Sequence, residues 1–432
     1  MTLSTIGAIL GVLLFILILA FQLPNWLTYV AVAPVVVFCG SMTTKEVYSV
    51  FSSSGLQLMY VICIFSGMMA ATGLDQVIGN TVVKAANKAD GKHRDLMIYT
   101  ILFLFGAAFS FVLANNHVAM AMVPVIYGIS KRTNLSYSKM ILFVIFATTL
   151  GGACTLIGTT SNVYANTALL DSGLRGLGML DFAWVGVPIM IVGGIYLIIF
   201  NRMCPSYDEV VPGGAKLQTE ANETVDPQLK KKQKIVGIAF AVFLVALATD
   251  STAGLDLHPY FIGYALIALL VIFKVVEPNK CFTQINAKLV LFCAGINLAI
   301  AIIKMTALGD IFGNIVIGLI GGSTNLYLIT GVLWLGTVIM TQFMNNMACA
   351  GVLAPVAINL AEQMGADPRA MVMAIAMAAT SSYLTPMASG TNQLLMPFTN
   401  LRFQDFAKYG WPLLLINFAF CITILPLVFP FF

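Results

Sequence analysis

Stretch after stretch of this chain runs for about 20 residues without a charge, the length a helix needs to cross a bilayer core. Ser4–Phe21 is the first. Few folds are open to such a chain, because in lipid every backbone N–H and C=O must be paired within a helix or around a closed barrel. A barrel would show short alternating strands, and the pattern here is not of that kind. The reading is an all-α polytopic membrane protein. Composition agrees: 59% of residues are hydrophobic and 9% charged, against roughly 25% charged in soluble domains. No basic segment precedes Ser4, so Ser4–Phe21 reads as a first span rather than a cleaved signal. The net charge of +4 is small and lies in loops; it speaks to orientation and points to no nucleic-acid partner. The eight cysteines are scattered without a CxxC pair and read as small buried residues.

In order, the spans read 3–21, 25–42 and 55–76, then a polar stretch to Asp95. Residues 97–131 are apolar at both ends and hold Asn115, Asn116 and His117 in the middle. Each arm has about 17 residues, marginal for a crossing. This fits a re-entrant helical hairpin better than its alternative, one long tilted helix with a polar notch. The span 138–170 contains GGACTLIGTTSN, Gly151 to Asn162, where lipid-facing leucines would be expected. It suits two half-helices joined by unwound chain. Span 181–201 and a Lys-rich polar linker, 202–234, follow.

The second half replays the first. Thr155 and Thr385 are 230 residues apart, as are Asn162 and Asn392, and the pairs Asn115-Asn116 and Asn345-Asn346. Spans read 235–250, 258–276 and 288–304, followed by an amphipathic stretch 306–323. A hairpin covers 324–362, a broken helix 369–400 with TPMASGTN at its break, and a last span 409–431. This gives a first repeat, 1–201, and a second, 235–432, each with five spans and one hairpin: ten full spans in all. Lys and Arg favour the cytosolic side. Loop 77–95, the 131–139 connection and the linker are basic, so they are expected inside and both termini outside. Five crossings is an odd number, so the repeats insert upside-down relative to each other, as in secondary transporters.

A helix broken inside a bilayer leaves backbone groups unpaired, at several kcal/mol each. Such breaks persist where protein or an aqueous cavity satisfies them. Freed carbonyls are hard ligands suited to Na⁺, and freed N–H groups at half-helix starts suit an anion. One site would combine Asn115, Asn116 and His117 with Gly158, Thr159, Thr160, Ser161 and Asn162. The other would combine Asn345 and Asn346 with Ala388, Ser389, Gly390, Thr391 and Asn392. No Asp or Glu lies between Ile98 and Leu170, between Thr324 and Ala361, or between Arg369 and Arg402. Cation carriers and proton relays place carboxylates in the membrane. A negative substrate would supply the charge omitted here. His117 is the one titrating candidate for a cation–proton antiporter, and no HExxH or GxSxG motif suggests an enzyme.

The segment from Asn345 to Met396, with NNHVAMAMVP and GGACTLIGTTSN in the first half, resembles the divalent anion–sodium symporter family. The resemblance covers nearly the whole chain. It implies a homodimer whose scaffold (1–76 and 235–304) holds a transport domain (97–201 and 324–432) that moves as an elevator. It implies Na⁺-driven carriage of a di- or tricarboxylate or sulfate, in the plasma membrane, with no cofactor beyond Na⁺. Carried onto this chain, Asn115, Gly158, Thr159 and Asn162 would hold one Na⁺, and Asn346, Ala388, Ser389 and Asn392 another. Asn116, His117, Thr160, Asn345, Met347, Gly390 and Thr391 would line the substrate. A sodium-independent exchanger is the near variant. The family's hairpin tips read Ser-Asn-Thr; here Met347 stands for the second Thr. In the first tip, spacing to Pro124 favours Asn115 as the family Asn, one residue off the 230 offset, and sequence leaves that register open.

Overall fold

The computed structural model describes residues 3–21, 23–73, 94–133, 135–204, 206, 227–249, 259–282, 287–305, 318, 324–396 and 399–432. The described residues form helices. In the first half these are α1 (Leu3–Ala20), α2 (Leu27–Phe38), α3 (Thr44–Ser49), α4 (Ser54–Thr72), α5 (Arg94–Ser110), α6 (Asn115–Arg132), α7 (Tyr137–Gly152), α8 (Thr160–Asp171) and α9 (Ala183–Ile199). In the second half they are α10 (Pro227–Thr249), α11 (Pro259–Ile272), α12 (Pro278–Cys281), α13 (Ala287–Met305), α14 (Leu326–Thr341), α15 (Asn346–Gln363), α16 (Arg369–Thr380), α17 (Gly390–Leu395) and α18 (Phe403–Val428). The helix starts Asn115 and Asn346, Tyr137 and Arg369, and Thr160 and Gly390 lie close to the 230-residue offset, whereas the first helices of the two halves, Leu3 and Pro227, and the last, Ala183 and Phe403, do not.

Packing is inside-out relative to a water-soluble protein. On α1, Leu3, Ile6, Leu10, Leu13 and Leu17 are exposed at helical spacing; Trp184, Ile191, Ile195 and Ile199 form a like stripe on α9. Meanwhile Ser161, Asn162, Asn392 and Ser381 are buried to the last atom. Wide apolar stripes on outer helices are the surface a lipid solvent selects. Nearly every residue of α7 and α16 is buried, so these two helices form the centre. Around them, α5 packs on α7, α14 on α16, and α15 on α8.

Three features differ from expectation. Among the described residues, two helical stretches are long and apolar enough to cross a bilayer unaided, Thr44–Met69 and Phe403–Val428. The other apolar helices are shorter, 10–17 residues, because breaks and caps end them early: the broken elements yield half-helices of 16 and 12 residues in the first repeat, 12 and 6 in the second. Second, the 202–234 linker ends at Pro227, where α10 begins. Proline is favoured at a first helical position, since its missing N–H is an orphan there anyway. Lys230, Lys231 and Lys232 are therefore helical, not loop. Third, the last span starts at Phe403 rather than 409, where the Asp405 carboxylate accepts from the Arg402 backbone N–H at 2.7 Å and caps the first turn. The 306–323 stretch, apart from residue 318, loop 77–93 and most of the linker lie outside the described residues.

Long-range contacts join helix ends. Gln233, at the start of α10, donates to the Thr72 carbonyl (2.9 Å). The Asn400 N–H donates to the Ser138 hydroxyl (3.2 Å). The Asp367 N–H donates to the Phe431 carbonyl (2.8 Å), and the Arg369 guanidinium lies 5.5 Å from the Phe429 ring centroid.

Candidate functional site

The site is two copies of one hydrogen-bonded unit. In each, a tip asparagine opens a helix and hydrogen-bonds to a hydroxyl five residues earlier. The Asn115 amide lies 2.5 Å from Ser110 Oγ, and Thr341 donates to Asn346 Oδ1 at 2.8 Å. In each, a threonine of the unwound chain donates to a carbonyl just before the tip: Thr155 to Phe111 O (2.5 Å) and Thr385 to Gln342 O (2.7 Å). In each, an asparagine of the second half-helix donates back into the break: Asn162 to Thr155 O (2.8 Å), Asn392 to Thr385 O (2.9 Å) and Ser382 O (2.9 Å). These bonds satisfy carbonyls that the broken helix frees, which is what allows it to persist in an apolar medium.

The register of the first tip is now fixed. Ser110, Phe111, Asn115 and Pro124 stand 231 residues before Thr341, Gln342, Asn346 and Pro355, whereas the breaks stand 230 apart. Asn115 therefore corresponds to Asn346, not to Asn345. The first repeat has one more residue between Pro124 and Thr155 than the second has between Pro355 and Thr385.

Glycines let tip and break close on each other. A Cβ on Gly152 would collide with the Asn115 amide. One on Gly158 would meet the Gly152 and Ser110 carbonyl oxygens at 2.5 and 2.6 Å. With its amide oriented to suit its neighbours, Asn115 donates to Thr148 O (3.0 Å) and Gly158 O (3.2 Å).

The two copies are joined. Thr391, at the start of α17, donates to Asn116 Oδ1 (2.5 Å), and a Cβ on Gly390 would stand 3.2 Å from Asn116 Nδ2. Ser161, at the start of α8, hydrogen-bonds to Thr380 at the end of α16 (3.1 Å).

The candidate residues divide by depth. Gly158, Thr159, Asn162, Ala388, Ser389 and Asn392 are buried; Asn115 and Asn346 are half-buried. Of the residues assigned to substrate, Asn116 is exposed, and His117, Thr160, Asn345 and Gly390 are half-buried. Two depart from that division. Met347 is buried in the core, its N–H held by the Asn345 side chain, which caps α15 (2.9 Å). Thr391 is buried, with its hydroxyl spent on Asn116. Among the described residues no group of three His, Cys, Asp or Glu side chains could hold a metal ion.

Several residues of the unit escape sequence reading. Ser110, Thr341, Gln342, Thr380 and Ser382 all hydrogen-bond within it. A signal was present: a hydroxyl residue five positions before each tip asparagine, at the same 231 offset.

The chain matches the family model described as "Citrate transporter" over residues 12–376 and 300–431. It is 25% identical over 423 residues to an uncharacterized transporter of Haemophilus influenzae, covering 90% of this chain and 84% of that protein. It is 20% identical over 575 residues to the uncharacterized transporter YfbS of Escherichia coli, covering 91% and 93%. The YdaH transporter of Alcanivorax borkumensis has a similar fold, with a TM-score of 0.59 over 89% of this chain and 87% of that one, at 16% identity.

Proposed function

The chain belongs to the citrate transporter family, and on that premise we propose that this secondary transporter carries a small divalent organic anion, a di- or tricarboxylate, in symport with Na⁺. The division by depth is the observation that carries the reading. A cation that has shed its water needs neutral oxygens out of solvent, and the Asn162 amide sits fully buried beside unwound backbone. An anion arriving from water needs donors within reach of solvent, and the exposed Asn116 and half-buried His117, Thr160 and Asn345 would supply them. The starts of α6, α8 and α15 add partial positive charge. No carboxylate from the hairpins or broken helices competes with the anion. The bound anion then supplies the negative charge that makes cation binding favourable, and the cation does the same for the anion; that mutual dependence is symport.

In this reading the repeats lie inverted in the plasma membrane, the hairpins enter from opposite faces, and a homodimeric scaffold guides the transport domain as an elevator. The two matched units, each a tip closed on a break, support it, because a rigid site can travel as one body. The test is uptake of radiolabelled succinate, malate, citrate and sulfate into proteoliposomes under an inward Na⁺ or K⁺ gradient. Carboxylate uptake driven by Na⁺ and absent with K⁺ is expected. Counterflow that runs equally well without Na⁺ would replace symport by exchange, and uptake of sulfate alone would replace the substrate.

A further inference from the structure

Duplication suggests two equivalent cation sites, but the two copies are not equivalent at one atom. Asn162 is fully buried, and its Oδ1 has no hydrogen-bond partner among the described residues. The corresponding oxygen of Asn392 accepts from the Ser389 hydroxyl at 2.7 Å.

The cause can be followed proton by proton, since a hydroxyl has one to give. In the first copy, Thr380 donates to Ala376 O (2.7 Å). Ser161, 3.1 Å from Thr380, must then be the donor to it, and Thr159, 3.2 Å from Ser161, the donor to Ser161. The Thr159 proton is thereby drawn away from Asn162. In the second copy, Thr391 stands where Ser161 stands in the first. Its proton goes to Asn116 of the other repeat. Ser389, the counterpart of Thr159, is left to turn inward, where it donates to Asn392 Oδ1 and accepts from the Asn392 N–H (3.1 Å). The first copy lacks this outlet, because the residue corresponding to Asn116 is Met347, which has no amide.

We propose that the cation sites are unequal: the first break, through Asn162 Oδ1, binds the coupling cation, and the second break is closed by its own Ser389 hydroxyl. The inference rests on the sodium reading above. A buried amide oxygen without a donor carries a desolvation penalty, which a cation on that oxygen removes. The Asn392 oxygen carries no such penalty, and a cation there must first displace a hydrogen bond. One Na⁺ bound at the first break, rather than two of equal strength, is the consequence.

The experiment is thermal unfolding of the purified full-length protein in nanodiscs, titrated with Na⁺ at constant total Na⁺ plus K⁺ and without substrate. The expected wild-type stabilisation follows a one-site curve. Asn162→Ala, with Asn162→Ser as the smaller change should the first fail to fold, is expected to raise the Na⁺ midpoint by about tenfold or more, as loss of a principal ligand does through linkage. Asn392→Ala is expected to lower the melting temperature, since Asn392 pins Ser382 and Thr385, yet to keep the Na⁺-dependent increment. Ser389→Ala, which uncovers the Asn392 oxygen, is expected to add a second, weaker Na⁺ phase. Equal loss of the Na⁺ increment in the Asn162 and Asn392 variants, or a wild-type curve that needs two equal sites, overturns the inequality while leaving sodium coupling standing. No Na⁺ increment with uptake still Na⁺-driven overturns it too. No increment and no Na⁺-driven uptake removes the sodium reading itself.

Discussion

Thr391 and Asn116 lie 275 residues apart and share a hydrogen bond of 2.5 Å, from the threonine hydroxyl to the amide oxygen. One belongs to the broken helix of the second repeat, the other to the hairpin tip of the first. The bond makes one site out of two halves. Asn116 itself remains exposed.

Breaking that bond should weaken substrate binding more than it weakens the fold. Asn116→Ala and Thr391→Val are each expected to raise KM for the transported anion by about tenfold, the scale of one net hydrogen bond. The double variant should be little worse than the worse single, because both remove the same interaction. Uptake kinetics in proteoliposomes measure this, and fully additive losses would argue that the two residues act separately.

Thr341 ties the second unit together. Its hydroxyl reaches both Asn346 Oδ1 (2.8 Å) and Ala379 O (2.7 Å). Thr341→Val keeps the shape and removes the one proton shared between the half-buried Asn346 amide and the buried Ala379 carbonyl, at a cost of about 1–3 kcal/mol. A lowered melting temperature and loss of uptake are expected, with Thr341→Ser restoring both. An unchanged melting temperature would show that the tip does not depend on this hydroxyl.

Gly152→Ala places a methyl group against the Asn115 amide. Asn115 is a half-buried side chain at a hairpin tip, so the tip can yield more cheaply than the core. The expected outcome is a protein that expresses and folds, with uptake lowered at least about tenfold by a displacement of about 1 Å at the site. Wild-type uptake would mean that Asn115 contributes nothing to transport.

The Asp367–Arg369 pair sets a pH dependence at the loop joining α15 to α16. Burial pushes the Asp367 carboxyl up, but hydrogen bonds from Arg369 and the charges of Arg369 and Arg175 outweigh it, so it titrates below the ordinary Asp range. A carboxylate depressed in the folded state stabilises at pH values above its unfolded pKa, and that contribution is lost as pH falls through the folded value. Melting temperatures of wild type and Asp367→Asn should therefore differ at pH 7 and converge below about pH 4. A constant difference down to pH 3 would rule out the linkage.

His117 is half-buried at the first tip. His117→Gln keeps a polar side chain there and removes the imidazole. Na⁺-driven uptake is expected to survive, with a changed KM for the anion. Abolished Na⁺ coupling, with uptake now insensitive to a pH gradient, would instead assign His117 to proton transfer.

Much of the fold was legible because lipid constrains sequence so tightly. Apolar runs placed the helices, and GGACTLIGTTSN and TPMASGTN marked both breaks where the chain unwinds. Boundaries such as Pro227 and Phe403 were missed because caps, not hydropathy, set them. The tip register was ambiguous because two adjacent asparagines satisfy a spacing rule equally well; the hydroxyls of Ser110 and Thr341 decided between them. Met347, read by alignment as a substrate contact, is core, because a thioether gains by leaving water.

By itself the sequence determined the medium, most of the helices and the absence of carboxylates from residues 98–170, 324–361 and 369–402, since each follows from local composition and spacing along the chain. Which hydroxyl faces which amide was decided by the tertiary structure alone. Each Ser or Thr has one proton and several acceptors within reach, and the choice between them depends on neighbours hundreds of residues away. That choice joins Asn116 to Thr391, closes the Asn392 oxygen and leaves the Asn162 oxygen uncovered.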